Sequence, residues 1–429
     1  MKILYVSQYF PPEMGAPAAR VAELSRHWAQ AGHSVTVLTG FPNHPTGVVP
    51  LPYRPKLRRL IAREATDGVH VVRTWLLPFP NRKSWERMLN YISFFLSSAI
   101  TGLFLPKPDV VIATSPQLMV GLTGWWLARM KRARFVFEVR DLWPESLAAV
   151  GIGGENSVLH RFLARIAGFL YRSSDRIVVV APALRDYLVE RWRVPQEKIS
   201  VITNGVESDL FSHENTDANL RKQLGAEEKF VVSYIGTLGM AHGLETLLES
   251  AARLQKSAPK VLCLVVGEGA EKERLNSLAL ARGLHNVRFL GEQPREKIPV
   301  YICASDVCLV LLKKTELFKT VIPSKLLEFM SCARPVILGV DGQARQILED
   351  ARAGTFVEPE NSEALADAVL RFAGDPELCR SCGANGQRHV LQHYSRQQTA
   401  NDYLNLLRSL AGQDQPATAA WEQRATVLR

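Results

Sequence analysis

The stretch Pro323-Ser324-Lys325-Leu326-Leu327-Glu328 puts a hydroxyl, an ammonium and a carboxylate within six residues. It follows the apolar run 306–312, which reads as a strand buried on both faces, and precedes a second strand run at 334–338. Pro323-Ser324 has the form of a helix start. On such a helix Ser324, Lys325 and Glu328 are three or four residues apart and share one face. Unpaired N–H groups and the positive dipole end suit Ser324 and Lys325 to a diphosphate. One turn on, the Glu328 carboxylate can accept two hydrogen bonds from a ribose diol. That combination describes a nucleotide site. The same residues would also serve a capped helix with an i,i+3 ion pair, and alone they decide neither reading.

Other loops carry candidates of the same kind. Residues 8–20, after the first strand, contain Gly15 among small neighbours, where backbone could approach a phosphate; an ordinary strand-to-helix turn would look the same. Residues 236–243 repeat the manner with Thr237 and His242, and Gly267-Glu268-Gly269 follows the next strand. Neither completes a dinucleotide fingerprint: the third glycine position after Gly267 is Lys272. After residues 135–139 comes Arg140-Asp141-Leu142-Trp143-Pro144-Glu145, where Arg140 could face a phosphate and Asp141 a sugar hydroxyl, or the two could simply pair and fix the loop. His44, in Phe41-Pro42-Asn43-His44-Pro45-Thr46-Gly47, is an acceptor-side candidate. No Asp-x-Asp occurs, so a metal-bound nucleotide is not expected and phosphate charge falls to helix ends, Lys325 and Arg140.

The elements that must position these loops alternate along the chain. Strand runs at 2–7, 34–39, 69–74, 110–113, 135–139, 176–180 and 199–202 are separated by helices, most clearly 18–31 and 121–132. A second series begins at 230–236 and continues at 261–266, 287–290, 307–312, 335–338 and 355–357. The pattern predicts an α/β chain with two Rossmann-like domains. The expected boundaries are a first domain 1–206, a polar linker 207–228, a second domain 229–395, a closing helix 396–412 returning to the first domain, and a tail 413–429. A length of 429 residues, with 47% apolar and 22% charged, fits two globular domains.

Charge is uneven. Residues 1–200 hold 26 Lys and Arg against 14 Asp and Glu, a net +12, whereas residues 201–429 come to −2. An anionic lipid surface or a phosphorylated substrate fits the basic half; no nucleic-acid module is readable and nucleic acid is not expected. Residues 88–106 lack charge, but Asn90, Ser93, Ser97 and Thr101 interrupt them opposite an apolar face, so a buried or membrane-surface helix is expected over a span. All six cysteines lie beyond residue 262, and Cys379-x-x-Cys382 has no partner pair, which suits reduced thiols in the cytoplasm. The N-terminus opens in a strand rather than a secretory signal.

In this order the loops resemble the family 4 glycosyltransferases, retaining enzymes of the GT-B fold, over nearly the whole chain. The resemblance rests on the Gly15 loop, residues 31–39, Asn204-Gly205-Val206, Tyr234-Ile235-Gly236, residues 265–269, Phe289-Leu290-Gly291, and the Glu328 helix followed by residues 334–337. Residues 140–145 and Pro323-Ser324-Lys325 look more narrowly like the fucosamine and colanic-acid transferases of bacterial surface polysaccharide assembly. It implies two domains facing across a cleft, with a nucleotide-sugar donor, expected to be a UDP-sugar, held mainly by the second. Donor contacts would come from Gly15, Thr237, His242, Gly267, Gln293, Ser324, Lys325 and Glu328, with Lys325, Asp141 and Arg140 as catalytic residues. A lipid-linked saccharide acceptor would meet the first domain near His44 and Glu145, at the inner face of the plasma membrane. Neither cofactor nor metal is implied.

Four positions depart from the family pattern. Glu328 matches the ribose-holding second Glu of its Glu-x7-Glu motif, but the first falls on Thr320. Thr237 and His242 stand for an Arg and a Lys, and Arg140 for a His before Asp141. These departures shift diphosphate binding onto Ser324 and Lys325. The alternatives are a nucleotide-sugar 2-epimerase of related fold and a non-catalytic scaffold subunit.

Overall fold

The computed structural model describes residues 1–13, 15–44, 46–80, 84–146 and 157–412. They form two compact units, residues 1–204 with 396–412, and residues 205–395. Apolar, β-branched runs make the strands, and parallel pairing with helices on the faces buries them on both sides.

In the first unit the strands are β1 (Lys2–Val6), β2 (Ser34–Gly40), β3 (Ile61–Thr66), β4 (Val69–Thr74), β5 (Val110–Thr114), β6 (Arg134–Val139), β7 (Arg176–Val179) and β8 (Ile199–Val201). Their order in the sheet is β3-β4-β2-β1-β5-β6-β7-β8. β1 is central, with Leu4 opposite Thr36 on one side and Val111 on the other. All pairs are parallel except β3 with β4, an antiparallel edge hairpin that the sequence reading omits. Asp67 and Gly68, both at positive φ, make its two-residue turn.

The Ala16–Gln30 helix carries Trp28 into the core, and the Arg396–Leu410 helix packs on it. The Trp28 indole Nε1 donates to the Ala400 carbonyl at 2.9 Å, with Tyr403 edge-on at 5.3 Å between ring centroids. The closing helix therefore belongs to the first unit.

In the second unit β9 (Phe230–Ile235), β10 (Val261–Val266), β11 (Val287–Gly291), β12 (Val307–Leu311), β13 (Val336–Gly339) and β14 (Gly354–Phe356) form one parallel sheet, order β11-β10-β9-β12-β13-β14. β10 and β12 are buried at every position. Residues 207–228, expected as a linker, are part of this unit. Phe211 is fully buried and its carbonyl accepts from the Ser331 hydroxyl at 2.6 Å; Arg221, on the Ala218–Gln223 helix, pairs with Asp306 at 3.1 Å. The polar composition is that of an exposed surface, while buried Phe211, Leu220, Leu224 and Ala226 pack the segment onto the domain.

Residues 84–103 form one helix. Among the described residues no helix is long and apolar enough to cross a membrane. The helix is inverted relative to an ordinary surface helix. Asn90, Ser93, Ser98 and Thr101 are buried, and Leu89, Ile92, Leu96 and Ile100 are exposed.

Candidate functional site

In each sheet the order reverses at one place, between β9 and β12 in the second unit and between β1 and β5 in the first. Loops leaving the carboxyl ends of strands beside such a reversal form the usual ligand crevice of an open α/β sheet. The loop after β9 begins at Gly236, and the segment after β12 leads into the Ser324–Ser331 helix.

That helix starts at Ser324 with Pro323 as its N-cap residue, so Ser324 and Lys325 occupy its first turn. Leu326, Leu327, Phe329 and Met330 fix it in the core. Lys325 then reaches across to the neighbouring strand, where its Nζ donates to the Tyr234 hydroxyl at 2.9 Å and sits 4.1 Å from the Tyr234 ring centroid. A Cβ on Gly236 would fall 2.6 Å from this Nζ, so the missing side chain there is what admits the ammonium. Tyr234 in turn donates to the Thr237 carbonyl at 2.8 Å, which leaves the Thr237 side chain exposed at the loop tip.

Burial lowers the Lys325 pKa to about 7, with the Glu328 charge opposing the shift. The His242 ring lies 6.0 Å from that of Tyr234. Burial first, and the Lys325 charge second, keep His242 well below its ordinary pKa, so it is neutral; its Nδ1 is buried without a hydrogen-bond partner. A desolvated ammonium bonded to a neutral phenol, beside a neutral imidazole, is an environment suited to an anion.

Glu328 lies one turn on and pairs with Arg295 at 3.5 Å; the Arg295 guanidinium lies 5.1 Å from the Phe211 ring centroid. Tyr234 enters from the sequence only among the residues that carry the resemblance, and Arg295 not at all; both come from other strands and loops. Gln293 braces its own loop: its Nε2 donates to the Leu290 carbonyl at 3.0 Å and its Oε1 accepts from the Tyr301 hydroxyl at 3.1 Å. Gly267 answers to its neighbour loop, since a Cβ there would lie 2.0 Å from the Gly236 carbonyl oxygen at φ +143. Thr320 ends a short turn of helix and donates to the Leu317 carbonyl at 2.7 Å. A separate cavity of about 470 Å³ shares Gly239 and Gly243 with this loop, but in its lining Glu245, Glu249, Glu271 and Glu360 outnumber Arg274 and Lys313, which does not suit a diphosphate.

In the first unit, Gly15 is the N-cap residue of the Ala16–Gln30 helix, at φ +120. Glu13, another residue missed in the sequence, ties the loops after β1 and β2 together. Its carboxylate accepts from the backbone N–H groups of Asn43 at 2.9 Å, His44 at 3.0 Å and Phe10 at 3.4 Å. Burial nonetheless raises its pKa to about 7. The His44 ring is 4.8 Å from that of Tyr9, and burial lowers its pKa to about 4, which keeps it neutral. A water-sized cavity of about 10 Å³ is lined there by Tyr9, Asn43, His44, Arg87, Asn90 and Tyr91.

Arg140 stands at the end of β6. Its Nε and one terminal nitrogen are buried without partners. Burial lowers its pKa, against the attraction of Glu138. Glu138, a carboxylate within an apolar strand, is fully buried and accepts from Arg20 Nε at 2.9 Å and the Tyr5 hydroxyl at 2.7 Å. Burial pushes its pKa up, but the charges of Arg20 and Arg140 outweigh this and hold it below the ordinary carboxylate value. Asp141 accepts from the Ser146 hydroxyl, and burial raises its pKa. The Ser115 hydroxyl accepts from the Arg140 N–H at 2.8 Å and fixes this corner. Glu145 accepts from the Tyr187 hydroxyl at 3.2 Å, and its other oxygen is buried without a partner.

Two reversed parallel sheets, each with strand-end loops carrying a desolvated cation, define the class, and the comparisons agree with it. Residues 216–389 match the family model for glycosyl transferases group 1, and residues 15–205 match the glycosyl transferase 4-like domain. The chain belongs to the GT-B glycosyltransferases, within the families those two models describe. It is 27% identical to a colanic acid biosynthesis glycosyl transferase of Escherichia coli, WcaI, covering 86% of this chain and 91% of that one. Sucrose-phosphate synthase of Thermosynechococcus elongatus shares the fold at a TM-score of 0.76 and 22% identity, over 96% of this chain and 100% of that one. The Anabaena protein HepE, solved with UDP-glucose, shares it at a TM-score of 0.69 and 18% identity, over 95% of this chain and 100% of that one.

Proposed function

We propose that this glycosyltransferase moves a sugar, with retention of configuration, from a UDP-sugar to a hydroxyl of a lipid-linked saccharide during bacterial surface polysaccharide synthesis, as a peripheral enzyme on the inner face of the plasma membrane. The observation that carries the reading is Lys325, a buried ammonium on the first turn of a helix at the sheet reversal, bonded to a phenol rather than a carboxylate. The UDP-glucose bound to HepE and the polysaccharide role in the name of WcaI support the choice of donor and pathway class.

In this scheme the bond from the anomeric carbon to the diphosphate oxygen breaks, and a bond from the acceptor oxygen to the same carbon forms on the same face. The acceptor proton passes to the departing diphosphate. Lys325 and the helix N-terminus stabilise the charge that grows on that leaving group, and no metal step is needed. Glu328 turns from Arg295 toward the ribose hydroxyls. Arg140 and Asp141 hold anionic and hydroxyl groups of the substrates.

The test is turnover of a panel of UDP-sugars on lipid extract. Lys325→Ala is expected to lower kcat sharply, and Glu328→Gln to raise KM for the donor. Wild-type constants in both variants would overturn the assignment. Product from donor alone would mark an epimerase, and UDP binding without turnover a scaffold.

A further inference from the structure

Among the described side chains, every fully exposed position of the Ser84–Leu103 helix is apolar. Its exposed residues are Trp85, Leu89, Ile92, Leu96, Ile100 and Leu103, a stripe at helical spacing. Asn90, Ser93, Ser98 and Thr101 are buried and bonded on the inner side. Asn90 donates to Asn43 Oδ1 at 3.1 Å, Ser93 Oγ accepts from the Leu77 N–H at 2.9 Å, Ser98 meets Thr123 at 3.1 Å, and Thr101 meets Thr74 at 3.0 Å. These bonds fix the rotation of the helix, so the apolar stripe cannot turn into the core. Phe104 continues it with 77% of its surface exposed.

Beside it in the same layer, the Leu118–Lys131 helix contributes exposed Met130, and the Val158–Ser173 helix beyond that contributes exposed Phe162. Cations accompany this apolar surface. Lys131 Nζ donates to the Leu103 carbonyl at 2.9 Å, and Lys107, Arg129 and Arg132 are exposed near that end. Arg161 and Arg165 are exposed on the same helix as Phe162.

We infer that this face is a membrane-docking surface, on which the Ser84–Leu103 helix lies in the plane of an anionic bilayer with its apolar stripe among the acyl chains and the flanking Lys and Arg at the headgroups. Charge complementarity favours that occupant: residues 1–200 carry a net +12, and the cations border the stripe rather than interrupt it. A second copy of the chain fits less well. A helix of this length is ~30 Å long, and a single stripe about 10 Å wide covers ~300 Å², short of the roughly 800 Å² per partner of a stable interface. The inference rests on the proposed function only in that a lipid-linked acceptor requires the enzyme at a bilayer.

The test is flotation of the full chain with vesicles of phosphatidylcholine alone or with ~30% phosphatidylglycerol, without donor or acceptor. Binding is expected to the anionic vesicles, about tenfold or more weaker in high salt. The double substitution Leu96→Glu with Ile100→Glu, at solvent positions, is expected to weaken it about 100-fold, with an unchanged thermal melt and unchanged UDP affinity. Equal vesicle binding by the two proteins, or none by the wild type, overturns the inference. So does a dimer in sedimentation that the double substitution dissolves, which would assign the stripe to a second copy. Because vesicle binding is read without sugar chemistry, its failure and a failure of donor turnover are separate results.

Discussion

Raising the pH should disarm Lys325 before it unfolds anything. Burial lowers its pKa to about 7, from an ordinary lysine value of 10.5. A bound diphosphate supplies the missing counter-charge and draws the pKa back up, so binding at alkaline pH must take up a proton. A UDP-sugar has no phosphate group that titrates between pH 6.5 and 8.5, so the lysine sets the slope. With a pKa of 7 its charged fraction falls from ~0.76 to ~0.03 across that window, and donor affinity should fall about 25-fold, near 2 kcal/mol. Below pH 6.5 the lysine is already charged and affinity should level off. Titration calorimetry in two buffers of different ionisation enthalpy should read an uptake approaching one proton at pH 8.5. Lys325→Met should bind more weakly at pH 6.5 and lose both the slope and the uptake. A flat wild-type profile over this window, or the same slope in Lys325→Met, would refute the assignment of this ammonium to the diphosphate.

Four further outcomes follow from the packing and the buried charges. Gly267→Ala sets a Cβ 2.0 Å from the Gly236 carbonyl oxygen, so it should lower Tm and donor affinity together; Gly374→Ala, where a Cβ meets nothing within 4 Å, should lower neither. Arg20→Met strips Glu138 of a 2.9 Å partner and should cost roughly 3–5 kcal/mol in denaturant unfolding. Trp28→Ala removes the indole that holds the Arg396–Leu410 helix; about 3–5 kcal/mol of stability should go, and limited proteolysis should cut that helix first. Glu13 has a folded pKa raised to about 7 from 4.5, so its contribution to stability is complete below about 4.5 and is lost as pH rises to about 7; Glu13→Gln should flatten that part of the stability profile.

What was legible in the sequence was whatever a short window dictates. Parallel strands such as β10 and β12 are buried on both faces, so they appear as unbroken apolar runs. The helix start at Ser324 was legible because Pro323 punctuates it. β3 was missed because an edge strand half exposed to water carries Arg63 and Glu64, although Asp67-Gly68 signalled its hairpin. The period of the Ser84–Leu103 helix was read correctly, but periodicity says only that there are two faces. Which of them is inside was decided by partners far away in sequence, Asn43, Leu77 and Thr123. Site residues were missed for the same reason: Tyr234, Arg295, Glu13 and Glu138 acquire their roles from contacts 30 to 133 residues distant. Gln293, expected as a donor contact, is bonded to the Leu290 carbonyl and the Tyr301 hydroxyl, and Gly267 is a glycine because Gly236 abuts it.

The two units treat their cations in the same unusual way. A protein selected for stability alone would neutralise a buried Lys or Arg with a carboxylate, or replace it by an apolar residue. The first unit does this for Arg20, which has Glu138 and the carbonyls of Ile202 and Thr203. Arg140, just past the end of β6, feels Glu138 only as a nearby charge, and its Nε and one terminal nitrogen are buried and unbonded. The second unit gives Lys325 a phenol, and leaves His242 Nδ1 unbonded beside it. Desolvating a charged group without full compensation is costly, and that cost recurs in both units at a strand-end loop of the sheet. An anion that the chain does not contain would relieve each. On the proposed function a nucleotide-sugar diphosphate would satisfy the second unit, and the first would take an anionic group of its own, on the donor or on the acceptor. Thermal shift with pyrophosphate separates the two contributions: Lys325→Met and Arg140→Met should each abolish part of the stabilisation, and the double substitution all of it. Full stabilisation of the Arg140→Met protein would mean that Arg140 is unpaired for some reason other than an anion.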